Sequence, residues 1–318
     1  MRIDKFIIIF ILVFVFSNQL VAEDIKELSR EQQIAEKLTL IADVDEIISL
    51  EVPGGRFIGL YKRARTREIS ETKSGEINGV VILVHGMGAH PDWPDVILPL
   101  RTQLTEFGWS TLSIQMPILS PEEPISEYGR TLRLANSRIQ AAVDYLHAWE
   151  IETIILLGYS FGASQAANYL ASNKPEEIKA FVSVSMLAQK FIKPGLDVYK
   201  FIAGIPVPIL DIYGEDDLED VRRGIDDRRL AASKNGNTGF QQIELQKAGH
   251  HYLGLEEVLV EKIQVWLQNI VLVMDATNEI SEISPEILHE RHCLCTESKG
   301  DLNATGSQQC HRRACGYY

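Results

Sequence analysis

The sequence predicts an α/β fold with a doubly wound, mostly parallel sheet that starts with an N-terminal antiparallel hairpin. From residue 80 onward, short apolar segments of strand length alternate with longer segments of helical period. Several of the short segments are apolar throughout, as in Val80-Val-Ile-Leu-Val84. Such strands are typical of a parallel sheet that is buried on both faces.

A helix and a hairpin are predicted upstream of this alternation. Apolar residues recur at helical spacing up to Ile41, so an amphipathic lead-in helix is expected within residues 23–44. Two strand-like segments, 46–50 and 57–61, flank the turn-forming Val52-Pro-Gly-Gly-Arg56. This arrangement indicates a β-hairpin.

The main domain is predicted to cover residues 45–272. Its later strands are expected at 80–84, 110–115, 153–157, 178–185, 207–213 and 240–245, and its helices at 96–107, 127–149, 163–172, 218–233 and 255–271. The segment 187–205 has no such assignment. It is interpreted either as a small lid or as an ordinary connecting helix and turn.

The first 22 residues have the layout of a secretory signal peptide. Arg2 and Lys5 precede an unbroken apolar run at residues 6–16, and a more polar stretch leads to Ala22. A helix needs about 20 apolar residues to span a bilayer, and this run is shorter. We therefore expect cleavage after Ala22 and export, most simply to the periplasm. The alternative is an uncleaved N-terminal membrane anchor.

Charge and cysteine usage restrict the classes of partner. The net charge of −13 disfavours nucleic acid as a partner, because an acidic chain repels the phosphate backbone. The polar tail at residues 273–318 is interpreted as a mostly disordered appendage. It holds all four cysteines: Cys293, Cys295, Cys310 and Cys315. Their spacing is a poor match to zinc sites, so no metal site is predicted.

A serine between two glycines directly follows the predicted strand 153–157. A strand-to-helix turn such as Gly158-Tyr-Ser160-Phe-Gly162 exposes the serine Oγ at the edge of the sheet, while the glycines allow neighbouring backbone to approach. The amide of Phe161 would then stand at a helix N-terminus, where it can stabilise developing negative charge. We predict that Ser160 is a nucleophile.

A serine nucleophile needs a base, and the base needs an orienting carboxylate. His250 and His251 follow the last predicted strand. His250 is the preferred base because the preceding glycine leaves it room to approach the serine, and His251 is the alternative. Asp217 is the preferred carboxylate and Asp216 the alternative, since both follow the strand 207–213.

The loop His85-Gly-Met-Gly88 is predicted to complete an oxyanion hole. It follows the first parallel strand, and the backbone N–H of Met87 is the expected donor beside that of Phe161. The N–H of Gly86 is the near alternative. His85 is expected to hold this loop by hydrogen bonds and not to act as the base.

The order Ser160, Asp217, His250, with an HG loop upstream, resembles the α/β-hydrolase superfamily over roughly residues 45 to 270. The segments HGMGAHPDWPD, GYSFGA, YGEDD and AGHHY further resemble a bacterial family of exported α/β-hydrolase-like proteins known only as a domain of unknown function. The resemblance implies the α/β-hydrolase fold and a serine-hydrolase site. It implies no particular substrate.

These features together favour a metal-independent serine hydrolase. The expected substrate is a small-molecule or lipid-like carboxylic ester, with a thioester or an amide less favoured, and no cofactor is expected. The alternative is a non-catalytic, envelope-associated binding protein on the same scaffold, because fold does not fix function. Contact with a membrane is expected only through the N-terminal segment, if that segment is not cleaved.

Overall fold

The computed structural model describes residues 29–65, 78–188, 192, 195–234 and 236–282, with side chains described up to residue 274. The predicted signal peptide and the four cysteines lie outside the described residues. The chain divides into two compact units, Met1–Leu267 and Gln268–Tyr318, and the sheet belongs to the first. In the described part of the chain, no helix has the length and apolar character needed to cross a bilayer.

The strands of the described residues are β1 Ile47–Val52, β2 Gly55–Lys62, β3 Gly79–Val84, β4 Trp109–Ile114, β5 Ile154–Tyr159, β6 Ile178–Val184, β7 Ile209–Asp216 and β8 Phe240–Gly249. They form one sheet in the order β1-β2-β4-β3-β5-β6-β7-β8. The pairs β1–β2 and β2–β4 are antiparallel, and the other neighbours are parallel. The predicted fold class is confirmed.

The helices are α1 Arg30–Ile41, α2 Ile97–Gln103, α3 Leu132–His147, α4 Phe161–Asn173, α5 Val198–Gly204, α6 Glu219–Arg223, α7 Ile225–Lys234 and α8 Glu256–Glu282. Short 3-10 helices cover Val44–Glu46, Leu104–Phe107 and Ile125–Thr131. Helices α3, α4, α5 and α7 pack side by side in that order.

Both faces of the sheet are buried at its central strands β3, β4 and β5, as the all-apolar strands predicted. In β3, the side chains of Val80, Ile82 and Val84 belong to the main core cluster, whereas those of Val81 and Leu83 are fully buried outside it. Successive strand residues point to opposite faces, so both sides of β3 are covered. This two-sided burial is what a doubly wound sheet requires.

The predicted helix at 218–233 is broken into α6 and α7 at Gly224. The buried side chain of Arg228 explains the break, because its Nη1 donates to the carbonyl of Val221, 2.9 Å away. A Cβ at Gly224 would lie 2.9 Å from the same Nη1. The helix predicted to end at residue 271 continues to Glu282 as α8, because the apolar Leu272-Val-Met274 extends its pattern.

The segment 187–205 contains the connecting helix α5. Its Val198 and Ile202 side chains are buried, and the helix packs between α4 and α7. The interpretation as a connecting helix is therefore correct for residues 198–204. Residues 189–191 and 193–194 lie outside the described residues, so the lid interpretation of that part stays a prediction.

The lead-in helix α1 is capped and tied to the sheet domain. Ser29 and Gln32 form a reciprocal capping box at its first turn. Glu31 accepts a hydrogen bond from Arg138 Nη2 at 2.5 Å and another from the backbone N–H of Ile118 at 3.3 Å. Residues 24–28 of the predicted helix lie outside the described residues.

Candidate active site

Ser160 occupies a strained turn between β5 and α4. Its φ of 57° and ψ of −123° lie in a region that non-glycine residues rarely adopt. The flanking glycines are required sterically. A Cβ at Gly158 would lie 2.5 Å from the Cα of Ala163, and one at Gly162 would lie 2.3 Å from the carbonyl oxygen of Val84. The GYSFG sequence therefore fits a tight crossing of α4 over the end of β3.

The structure brings Ser160, His250 and Asp217 into one hydrogen-bonded chain. His250 Nε2 lies 3.0 Å from Ser160 Oγ, and His250 Nδ1 lies 2.7 Å from Asp217 Oδ1. A neutral imidazole with its proton on Nδ1 satisfies both contacts, because Nδ1–H donates to the carboxylate while Nε2 accepts from the serine hydroxyl. This arrangement can move a proton from Ser160 to His250.

Asp217 is held as an ionised hydrogen-bond acceptor. Its Oδ1 accepts from the N–H of Leu218 at 2.8 Å, and its Oδ2 accepts from the N–H of Gly214 at 3.1 Å and from Ser185 Oγ. Burial alone would raise the pKa of this carboxyl, but the hydrogen bonds from His250 and Ser185 outweigh it and lower the pKa below its ordinary value.

The alternative residues of each pair occupy different environments. Asp216 is the last residue of β7 and its side chain is exposed. His251 is half exposed, and its Nδ1 lies 3.0 Å from Asp95 Oδ2. The geometry therefore favours His250 and Asp217 over His251 and Asp216 as partners of Ser160.

The HGMG loop passes directly over Ser160. A Cβ at Gly86 would lie 3.2 Å from the Cβ of Ser160, so this position tolerates little more than glycine. Met87 is half-buried, and Gly88 adopts a positive φ of 70°. The loop therefore lies beside the Ser160 side chain, and the assignment of an oxyanion donor to the N–H of Met87, or to that of Gly86, stays a prediction.

His85 holds this loop by hydrogen bonds and is buried in the neutral form. Its Nδ1–H donates to the carbonyl of Gly86 at 2.8 Å, and its Nε2 accepts from the backbone N–H of Met116 at 2.9 Å. Burial lowers the pKa of His85 from 6.5 to about 3. A ring with both nitrogens engaged has no free site for a proton, so His85 suits a positioning role.

Phe161 is the residue whose N–H is predicted as the other oxyanion donor. It is the first residue of α4, and a first-turn N–H has no acceptor within its own helix. The Phe161 ring packs edge-on against Tyr128, with ring centroids 5.5 Å apart. This contact fixes the start of the helix beside Ser160.

Three further residues contact the site through hydrogen bonds that the sequence did not predict, although the position of Tyr159 near a strand end makes it a candidate for lining an apolar pocket. Tyr159 OH donates to the carbonyl of His250 at 3.0 Å, which ties the histidine loop to β5. Ser185 contacts Asp217, and the hydroxyl of Tyr252 lies 2.8 Å from Ser185 Oγ. Their only signal in the sequence is a position at or just beyond the end of a strand. Among the described residues, no group of three or more His, Cys, Asp or Glu side chains is arranged to hold a metal ion.

Solved structures share this fold at low sequence identity. The chain is similar to Est1E from Butyrivibrio proteoclasticus, with a TM-score of 0.55, 16% identity, and coverage of 71% of this chain and 99% of that one. It is similar to the esterase Pf2001 from Pyrococcus furiosus, with a TM-score of 0.54, 15% identity, and coverage of 71% and 92%. It is also similar to an α-β serine hydrolase homologue from Coxiella burnetii, with a TM-score of 0.51, 19% identity, and coverage of 71% and 97%. These similarities show an α/β-hydrolase fold.

No curated protein matches the chain in sequence. A family model described as "Protein of unknown function (DUF3530)" matches residues 18–131 and 120–269. The two matches together cover well over half of the chain, and they include Ser160, Asp217 and His250. The resemblance inferred from the sequence is thereby confirmed. The chain belongs to the DUF3530 family of proteins of unknown function, and it has the α/β-hydrolase fold.

Proposed function

We propose that this protein is a serine hydrolase that cleaves carboxylic esters and needs no metal ion. The observation that carries the proposal is the hydrogen-bonded chain from Ser160 through His250 to Asp217 at the carboxyl edge of the sheet. The printed names of two similar folds, the esterase Pf2001 and a serine hydrolase homologue, support the same class. Thioesters and amides are less favoured substrates.

In the proposed reaction, Ser160 Oγ forms a bond to the ester carbonyl carbon while its proton passes to His250 Nε2. The backbone amides of Met87 and Phe161 stabilise the oxyanion of the tetrahedral intermediate. The bond to the alcohol oxygen then breaks, and the imidazolium of His250 protonates the leaving alkoxide. Asp217 remains ionised, stabilises the imidazolium and holds its Nδ1–H.

Water completes the cycle by the same route. His250 takes a proton from a water molecule as that molecule attacks the acyl-enzyme carbonyl carbon. The second tetrahedral intermediate collapses, the bond to Ser160 Oγ breaks, and the serine recovers its proton from His250. The products are a carboxylic acid and an alcohol, so atoms and charge balance without a cofactor.

A fluorophosphonate probe tests the nucleophile directly. We expect labelling of the wild-type protein, no labelling of Ser160→Ala and much slower labelling of His250→Ala. Ser164→Ala is the matched control, because this buried serine lies one turn further along α4 and donates to the carbonyl of Leu187. Equal labelling of wild type and Ser160→Ala would refute the proposal and favour the non-catalytic binding alternative.

We also propose that the protein is exported and cleaved after Ala22. The charged start, the apolar run at 6–16 and the small residue at the cleavage point support this. The mass of the mature protein tests it. A mature chain that begins at Glu23 supports cleavage, whereas a full-length chain in the membrane fraction supports the anchor.

A further inference from the structure

A second strained serine lies beside the proposed triad. Ser185 follows β6, is fully buried, and has a φ of 50°. Its N–H bonds to the carbonyl of Ile212 at 2.8 Å, just as the N–H of Ser160 bonds to the carbonyl of Val184 at 2.8 Å. Strands β5 and β6 therefore end in similar turns, each with a serine in a conformation that non-glycine residues avoid.

The Ser185 side chain joins two groups of the site. Its Oγ is hydrogen-bonded to Asp217 Oδ2, and it lies 2.8 Å from the hydroxyl of Tyr252. Tyr252 is fully buried and also has a positive φ, 53°. It follows His250 by two residues, so a buried tyrosine and the proposed base leave the same short turn.

The chemistry of these groups fixes the direction of each hydrogen bond. An ionised carboxylate only accepts, so Ser185 donates its single hydroxyl proton to Asp217. Ser185 Oγ then accepts from Tyr252, whose hydroxyl stays protonated because burial raises its pKa well above the ordinary value. Two chains of hydrogen bonds therefore end at Asp217. One runs from Tyr252 through Ser185, and the other runs from Ser160 through His250.

We propose that Ser185 and Tyr252 are positioning residues of the triad, an inference that rests on the proposed function. Ser185 holds Oδ2 of Asp217 so that Oδ1 faces His250 Nδ1, and Tyr252 holds the Ser185 hydroxyl in its donating orientation. With the N–H groups of Gly214 and Leu218, Asp217 accepts four hydrogen bonds. Its carboxylate plane is then fixed before the substrate binds.

The test uses two variants of one residue, Ser185→Ala and Ser185→Gly. Both remove the hydroxyl, but glycine adopts a positive φ freely, so Ser185→Gly keeps the turn unstrained. With p-nitrophenyl butyrate as the substrate, we expect kcat to fall about 10-fold or more in both variants with KM little changed, as for loss of one preorganised hydrogen bond.

The pH dependence of kcat/KM shows whether Ser185 positions Asp217 or only stabilises the fold. The ionisable groups that influence Asp217 are His250, Tyr252 and Tyr159. Loss of the Ser185 donor makes the carboxylate more basic and strengthens its attraction for the imidazolium. The acid limb of kcat/KM should therefore move to higher pH in Ser185→Ala and Ser185→Gly. In Tyr252→Phe it should move the same way by a smaller amount.

Two matched controls lose a buried hydrogen bond elsewhere. Ser183→Ala removes a β6 serine whose Oγ lies 3.1 Å from Asp211 Oδ1, and Tyr169→Phe removes a buried hydroxyl that donates to Gln140 at 2.8 Å. Neither control should change kcat or the acid limb.

A wild-type pH profile in Ser185→Gly would overturn the inference, because the role of the residue would then lie in its backbone alone. The same profile shift in Ser183→Ala would also overturn it. Fluorophosphonate labelling distinguishes this failure from failure of the proposed function. If only the inference is wrong, Ser160 is labelled in every Ser185 and Tyr252 variant at the wild-type rate. If the proposed function is wrong, Ser160 is not labelled in the wild type either.

Discussion

Strand β7 and the residue that follows it provide two buried carboxylates with different partners. Asp211, in the middle of the strand, pairs with Arg228, whose Nε lies 2.7 Å from Oδ2. Asp217, the first residue after the strand, accepts a hydrogen bond from His250. An arginine side chain is a permanent cation, whereas a neutral imidazole carries a nitrogen that can act as a base. The first carboxylate faces a permanent cation, and the second faces an imidazole that also contacts Ser160.

Position along the strand separates the two carboxylates further. Asp211 lies inside the sheet domain, where Ser183 Oγ and Gln242 Nε2 also donate to it, at 3.1 and 3.0 Å. Asp217 lies at the carboxyl edge, where ligands bind in open α/β sheets. A buried carboxylate with a permanent cation in mid-strand serves the fold. One with a titratable partner at the edge can also serve chemistry.

Asp217→Asn should have the largest effect on the proposed activity. The amide cannot stabilise the imidazolium, and it can favour the wrong tautomer of His250, so we expect kcat to fall about 10⁴-fold. Ester hydrolysis per fluorophosphonate-titrated site measures this loss, and thermal unfolding should show a much smaller effect on stability. A variant with near wild-type kcat would remove Asp217 from the triad.

Asp211→Asn should lower the stability of the protein strongly and leave its activity unchanged. It leaves the buried guanidinium of Arg228 without its counter-charge, which typically costs about 3–5 kcal/mol of unfolding free energy. Urea denaturation measures this loss, and kcat of the folded fraction should stay at the wild-type value. A large loss of kcat with unchanged stability would contradict the distinction between the two carboxylates.

His85 is another buried ionisable group, and its shifted pKa makes the stability of the fold depend on pH. Its folded-state pKa of about 3 lies below the ordinary 6.5, so the unfolded chain binds the proton more tightly. Stability due to neutral His85 is therefore present above pH about 6.5 and is lost as pH falls towards about 3, by up to about 1.4 kcal/mol per pH unit. His85→Gln should flatten this part of the stability curve, measured by urea denaturation at a series of pH values. An unchanged slope would show that His85 is not the group that titrates.

The sequence predicted those parts of the site that have a local signal. Ser160 lies in a glycine-flanked turn, and Asp217 and His250 follow strands that all end at one edge of the sheet. Ser185 and Tyr252 have no such motif. Their hydrogen bonds join residues 32 and 67 positions apart in the chain, so they depend on strand register and on turns that the local pattern does not specify.

Contacts between residues far apart in the chain also explain where the predicted fold differs from the structure. Alternating strand and helix patterns were enough to predict the class and the order of the elements. They did not predict the break between α6 and α7, because the buried guanidinium of Arg228 causes it through contacts with β7 and α6. Glycine at position 224 is itself a poor helix former, and the contact of Arg228 with the carbonyl of Val221 adds a tertiary reason for the break.

His251→Ala should have the smallest effect, and it tests whether the neighbour of His250 shares its role. The His251 side chain is about half exposed and pairs with Asp95 at 3.0 Å. Exposed pairs of this kind contribute about 0–1 kcal/mol, so stability should change little. Turnover should persist, because Nε2 of His250 still faces Ser160 at 3.0 Å. His250→Ala, measured alongside, should lose activity by orders of magnitude. If the two variants lost activity equally, both histidines would take part in proton transfer. The contact with Asp217 would then no longer distinguish the catalytic histidine from its neighbour.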